Sequence, residues 1–151
     1  MLRRISSFDQ DERGDWRAWL DCYHPQHVRH QPPFTNRPWV MTQEGRQEKL
    51  GLELNCVRCD NFELPTGLTP YKQTPTFSEL TIPKGLQRDH STKTGTWGLI
   101  HVETGTLVYR TPDTTFELNP EKTGIVVPNM LHSVASIGHV LFYVEFLHQD
   151  N

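Results

Sequence analysis

His139-Val140-Leu141-Phe142-Tyr143-Val144-Glu145-Phe146-Leu147-His148 is the stretch on which the fold turns. Side chains alternate across a strand, so Leu141, Tyr143, Glu145 and Leu147 share one side. Val140, Phe142, Val144 and Phe146 share the other. A strand that is apolar on both faces lies in the core of a β structure. Upstream, Thr96 to Val102, Thr106 to Arg110 and Gly124 to Val127 are shorter runs of the same character. Thr104-Gly105, Pro112-Asp113 and Pro128-Asn129 punctuate them as turn signals. Regularly spaced strands with no convincing helix predict a sandwich or barrel.

Moving towards the N-terminus, Glu63-Leu-Pro-Thr-Gly-Leu-Thr-Pro70 disfavours regular structure and reads as a linker over 63–69. It separates a module of residues 1–62 from the β domain of residues 70–151. In the module, Gly14-Asp15 predicts a turn between two short strands. Trp16, Ala18, Leu20 and Cys22 then alternate with Arg17, Trp19 and Asp21. Pro32, Pro33 and Pro38 keep the next stretch irregular. Thr42 is a capping residue ahead of helix formers up to Leu50, and Gly51 is a stop. The fold class predicted is mainly β: a small α+β module followed by a single β-barrel.

All three cysteines lie in the module. Cys56-Val-Arg-Cys59 is a knuckle, and Cys22-Tyr-His24-Pro-Gln-His27-Val-Arg-His30 is a second cluster. Thiolate and imidazole suit zinc, and two short turns can each supply two ligands to a tetrahedral site. Cys22, Cys56 and Cys59 are three expected ligands of a structural zinc. His24, on the strand face of Cys22, is the favoured fourth, with His27 the alternative and His30 also in reach. A redox Cys-x-x-Cys pair is the competing reading.

Composition sets bounds. The chain has 151 residues and 35% apolar side chains. The net charge is −3, and its first 62 residues are balanced between basic and acidic groups. No basic field exists to track phosphates, so no nucleic-acid role is expected. No run of 18 apolar residues is present, so no membrane span is expected. The start has no apolar segment of a secretory signal. A cytoplasmic location follows as the default expectation, where Cys-x-x-Cys more often binds metal than forms a disulfide.

Glu145 stands alone in an apolar row. An ionised carboxylate there is costly unless paired or metal-bound. Arg88 or Lys93 are candidate ion-pair partners; a metal is the other solution.

Two resemblances extend this reading. Cys22-Tyr-His-Pro-Gln-His-Val-Arg-His-Gln-Pro-Pro-Phe34, Asn36-Arg-Pro-Trp-Val40, Gly45-Arg46 and Cys56-Val-Arg-Cys-Asp60 resemble the bacterial family of unknown function DUF3565. That family has no established activity. In the second half, Tyr71-Lys-Gln-Thr-Pro75, Leu86 to Gly98, Glu103-Thr-Gly105, Val127-Pro-Asn-Met-Leu-His132 and Phe142-Tyr-Val-Glu-Phe146 resemble the tellurite-resistance TehB N-terminal-like domain, DUF1971. Members are small cupin barrels.

The second resemblance implies a cupin-like barrel with a divalent metal inside it (zinc, iron, manganese or nickel), held by His90, His132 and Glu145. The paired His-x-His of general cupins is missing, which argues against standard oxygenase chemistry. Two histidines and one carboxylate leave coordination positions open for a small molecule or anion. Trp97, Tyr109 and Tyr143 are candidate pocket walls, and His101, His139 and His148 are expected at the surface or at strand edges. The functional expectation is a small-molecule or anion binder, in a stress or tellurite context supplied by the family name. A metal-dependent oxygenase, isomerase or hydrolase is the alternative. A zinc-module adaptor is a third reading, and a homodimer is compatible with all of them.

Overall fold

A computed structural model describes residues 1–28, 37–112 and 114–149. The chain is mainly β and divides into two compact units, Met1–Pro65 and Thr66–Asn151. No described helix is long and apolar enough to cross a membrane.

The first unit opens with an antiparallel hairpin, β1 (Leu2–Gln10) and β2 (Trp16–Leu20). Its turn is fixed by Asp11, whose Oδ1 accepts from the amides of Arg13 and Asp15, both at 2.9 Å. Ala18 and Leu20 are fully buried, as the alternation predicts. β3 (Pro25–His27) pairs with β2, and β4 (Glu53–Asn55) pairs with β1, so the sheet order is β3-β2-β1-β4. Helix α1 (Gln43–Lys49) is capped by Thr42, whose Oγ1 accepts from the Gly45 amide at 3.0 Å. A single helical turn, α2 (Val57–Asp60), follows β4. The buried aliphatics are few: Ile5, Leu20, Val28, Val40 and Leu54 carry the core with Ala18. So small a core gives little stability by itself.

The second unit is one curled antiparallel sheet. β5 (Leu68–Gln73) and β6 (Phe77–Ser78) pair with β10 (Ser133–Gln149). β10 pairs along its length with β7 (Thr96–Arg110), which also carries β8 (Thr115–Leu118) and β9 (Gly124–Val126). β5 begins at Leu68, inside the stretch read as linker.

One expectation changes here. Thr104-Gly105 does not end a strand; β7 runs through it as a single 15-residue strand. Gly105 (φ +83°) and Gly138 (φ +65°) flank an irregular register where Ile137 faces Thr106 and Val140 faces Gly105. This is a bulge, which bends a long strand pair without breaking it. The bend lets β7 and β10 wrap around Ile100, Leu107, Leu118, Val140 and Phe142, all buried.

Candidate metal centre and cavity

β2 and β4 both run antiparallel to β1, so they point the same way and end at the same edge of the sheet. Cys22 and His24 follow β2; Cys56 and Cys59 follow β4. The topology therefore delivers both ligand turns to one place. The first turn is tight: the Tyr23 amide donates to Leu20 O at 2.8 Å and the Leu20 amide to His24 O at 3.1 Å. Tyr23 takes φ +63°, an uncommon conformation for a non-glycine residue, which places Cys22 and His24 on one side. In the second turn Cys56 sits at the helix start, and the Asp60 amide donates to its carbonyl at 3.2 Å.

Cys22, His24, Cys56 and Cys59 converge, each no more than 4% exposed, with their ligand atoms all within 4.8 Å of one another. Cys22 Sγ lies 3.8 Å from Cys56 Sγ. His24 Nδ1 lies 3.4 Å from Cys56 Sγ and 3.5 Å from Cys59 Sγ. Metal bonds of about 2.3 Å to sulfur and about 2.05 Å to nitrogen give tetrahedron edges of about 3.8 Å and about 3.5 Å. The cluster has the dimensions of a four-ligand metal centre, and its cysteines form no disulfide.

Its protons are in competition. Burial alone would lower His24, but hydrogen bonds from its ring to the Cys22 and Cys56 sulfurs outweigh it and raise the imidazole to about 9. Cys56 is pushed down, chiefly by hydrogen bonds from Cys22 and Cys59; Cys59 is pushed up by the neighbouring Cys22 and Cys56 and by burial. His24 Nε2 is buried with no protein partner among the described residues. His27 is elsewhere: its Nε2 meets Asp11 Oδ2 at 2.7 Å on the exposed side of β3. His30 lies outside the described residues.

In the second unit, a cavity of about 340 Å³ opens on the face of β10 that carries Phe142, Val144 and Phe146. Gly98 and Ile100 of β7, with Val126 and Val134, continue its apolar walls. His90 and His132 also line it. Their backbones form a reciprocal bridge, each amide donating to the other's carbonyl at 2.9 Å, and their rings lie 4.0 Å apart. Burial pushes His132 down to about 4, helped by nearby His90 and opposed by its hydrogen bond to Met130 O.

Glu145 does not join these histidines. It lies on the opposite face of β10, as strand alternation requires, and its Oε1 is 3.2 Å from His101 Nε2. Arg88 and Lys93 are not its partners; His101 is, and Tyr143 stacks on that imidazole at 4.8 Å. Among the described residues, the Cys/His cluster is the one group of three or more such side chains with metal-site dimensions. Trp97, Tyr109 and Tyr143 are not pocket walls either. Trp97 and Tyr143 lie on the opposite face from Gly98, Ile100, Phe142 and Val144, whereas Tyr109, beyond the bulge, pairs with Val134 and packs its ring 5.8 Å from His132 without lining the cavity. Trp97 and Tyr109 are fully buried, and the Tyr109 hydroxyl donates to Ile125 O at 3.1 Å. His139 is an exposed partner of Glu79, and His148 packs on Tyr71. Sequence reasoning assigned no cavity role to Lys72 or Lys93, which line the cavity from exposed positions. No spacing signal marks either lysine.

Residues 6–63 match the model of "Protein of unknown function (DUF3565)", and residues 72–144 match that of "TehB-like domain". The two halves match two different families. The first match spans both ligand turns of the metal centre; the second spans most of the cavity. TehB from Haemophilus influenzae is 26% identical over 56% of this chain, with a TM-score of 0.54. The match covers only 32% of the TehB chain. A protein from E.coli (strain K12) aligns with a TM-score of 0.55 at 18% identity, covering 59% of this chain and 98% of its own. That second likeness concerns the fold alone. No curated protein matches the chain.

Proposed function

We propose that residues 66–151 form a cupin-like barrel that receives a small organic molecule, and that residues 1–65 fold around one structural zinc ion. The cavity carries the first part. Its volume of about 340 Å³ falls within the roughly 300–1,000 Å³ range of ligand sites, and apolar walls with a few convergent polar groups are the usual composition. The second part rests on the buried cysteines and histidine, whose spacing matches zinc's bond lengths. Four protein ligands close the coordination sphere, which is the structural rather than the catalytic arrangement.

A barrel metal is not part of this proposal. His90 and His132 offer two imidazoles, but the carboxylate expected to complete the set is on the other face of β10, beside His101. The residues do not fit a two-histidine, one-carboxylate centre. The likeness to TehB covers about a third of that protein.

The cavity reading is tested with 4-ethylphenol, a small apolar probe, followed by amide chemical shifts of the full chain. Saturable shifts should concentrate on Gly98, Ile100, Val126, Val134 and Val144. Shifts scattered over the surface, or none at millimolar probe, would contradict a receptor cavity.

A further inference from the structure

The polar groups of the cavity narrow what it takes. His90 Nδ1 lies 2.9 Å from Arg88 O, and His132 Nδ1 lies 2.9 Å from Met130 O. A carbonyl only accepts, so each Nδ1 carries a proton, and in the neutral ring Nε2 then carries the lone pair. Neither Nε2 has a protein donor among the described residues. In that tautomer the pair offers ring-nitrogen acceptors to the cavity. Burial favours the neutral ring of His132, pushed down to about 4. Such a wall does not attract an anion; it wants a hydroxyl or N–H.

The solvent side has the opposite preference. Lys72 and Lys93 line the cavity from exposed positions, and no carboxylate among the described lining residues opposes them. Phe142, Val144, Phe146 and Ile100 supply apolar surface in the same cavity. At about 30 Å³ per water-sized atom, the volume holds about eleven non-hydrogen atoms.

We propose that the ligand is an organic acid of about a dozen non-hydrogen atoms, with a hydroxyl or N–H donor remote from its carboxylate. The donor meets the His90–His132 pair and the carboxylate meets Lys72 and Lys93. This rests on the receptor reading of the cavity and adds the chemical class.

Calorimetric titration of the full chain with matched probes tests it without altering the protein. The pairs are 8-hydroxyoctanoate against octanoate, and 3-(4-hydroxyphenyl)propionate against 3-phenylpropionate. At least one hydroxylated acid should bind about tenfold more tightly than its partner, the scale of one net hydrogen bond, with little dependence on salt. The amide of that acid should bind about fivefold more weakly, and this gap should shrink in 0.5 M salt because the lysines are exposed. Lys72→Met with Lys93→Met should abolish the acid–amide gap and keep the hydroxyl preference.

Equal affinity of the hydroxylated and deoxy acids in both pairs overturns the proposal. So does displacement of the organic acids by inorganic phosphate or tellurite at equal concentration. If no acid binds while 4-ethylphenol still maps to the cavity, the ligand class is wrong and the receptor reading stands. If 4-ethylphenol fails as well, both fall.

Discussion

Cys59 has no exposed surface to speak of and no disulfide partner, yet it sits within reach of two other sulfurs and an imidazole. Burying four such groups together makes sense when an ion replaces their protons. Structural zinc supplies on the order of 10–16 kcal/mol of apparent binding free energy in small modules, far more than the few aliphatics of this unit can offer. Cys59→Ser should release the metal and unfold residues 1–65, read as loss of amide protection in β1 and β2. A second residue makes a pH prediction. Native His132 titrates near 4, below the ordinary value of about 6.5. The native state therefore resists protonation that the unfolded chain accepts. Its contribution is complete above about pH 6.5 and is lost as the pH falls towards 4, with no further loss below. The loss should approach about 3 kcal/mol, seen as faster exchange of the Ile100 and Leu107 amides, and should be smaller in His132→Asn. At this scale the sequence was readable for the three cysteines, because thiols so spaced have few other uses. Between His24 and His27 it was less so, since only the tight turn at Tyr23 decides which imidazole points inward. For Glu145 the resemblance and the strand alternation point different ways, and its position beside His101 follows the alternation. That alternation already placed Glu145 opposite Phe142 and Val144.

Within the elements, Gly45 and Gly105 sit where no side chain fits. In α1, replacing an interior glycine by alanine ordinarily gains about 1 kcal/mol. At Gly45 a Cβ would lie 2.1 Å from the Trp39 carbonyl oxygen, so Gly45→Ala should instead cost about 2 kcal/mol or more. In β7 the bulge imposes a positive φ on Gly105, and a Cβ there would meet His139 O at 2.0 Å. Gly105→Ala should cost about 3 kcal/mol, lowering the urea midpoint of the second unit and leaving the first unchanged. Gly51→Ala is the contrast: its φ is also positive, but the added Cβ meets nothing within 4 Å. The hairpin, the Thr42 cap and the Gly51 stop were legible because each is a local rule with a local cause. The continuity of β7 was not. A Thr-Gly pair reads as a turn unless the partner strand is known, and here Gly138 of β10 sits across the same bulge.

Across the whole molecule, two units rely on different physics. Thr66–Asn151 buries Trp97, Tyr109, Phe142 and a set of aliphatics, enough for a core held by apolar burial. Met1–Pro65 gathers its ligands instead. A chelator at neutral pH should therefore melt the first unit and leave the slow-exchanging amides of β7 and β10 in place. The two compact units divide between Pro65 and Thr66, within a proline-containing stretch where the periodicity changes. The content of the cavity was not legible in the sequence, because sheet curl and the His90–His132 bridge are long-range facts. The most direct measurement is the metal content of the full chain, counted by native mass spectrometry with X-ray absorption to identify the ligands. One zinc per chain, bound by three sulfurs and one nitrogen, is expected. A metal-free native chain, or a second ion lost on His90→Ala, would contradict it.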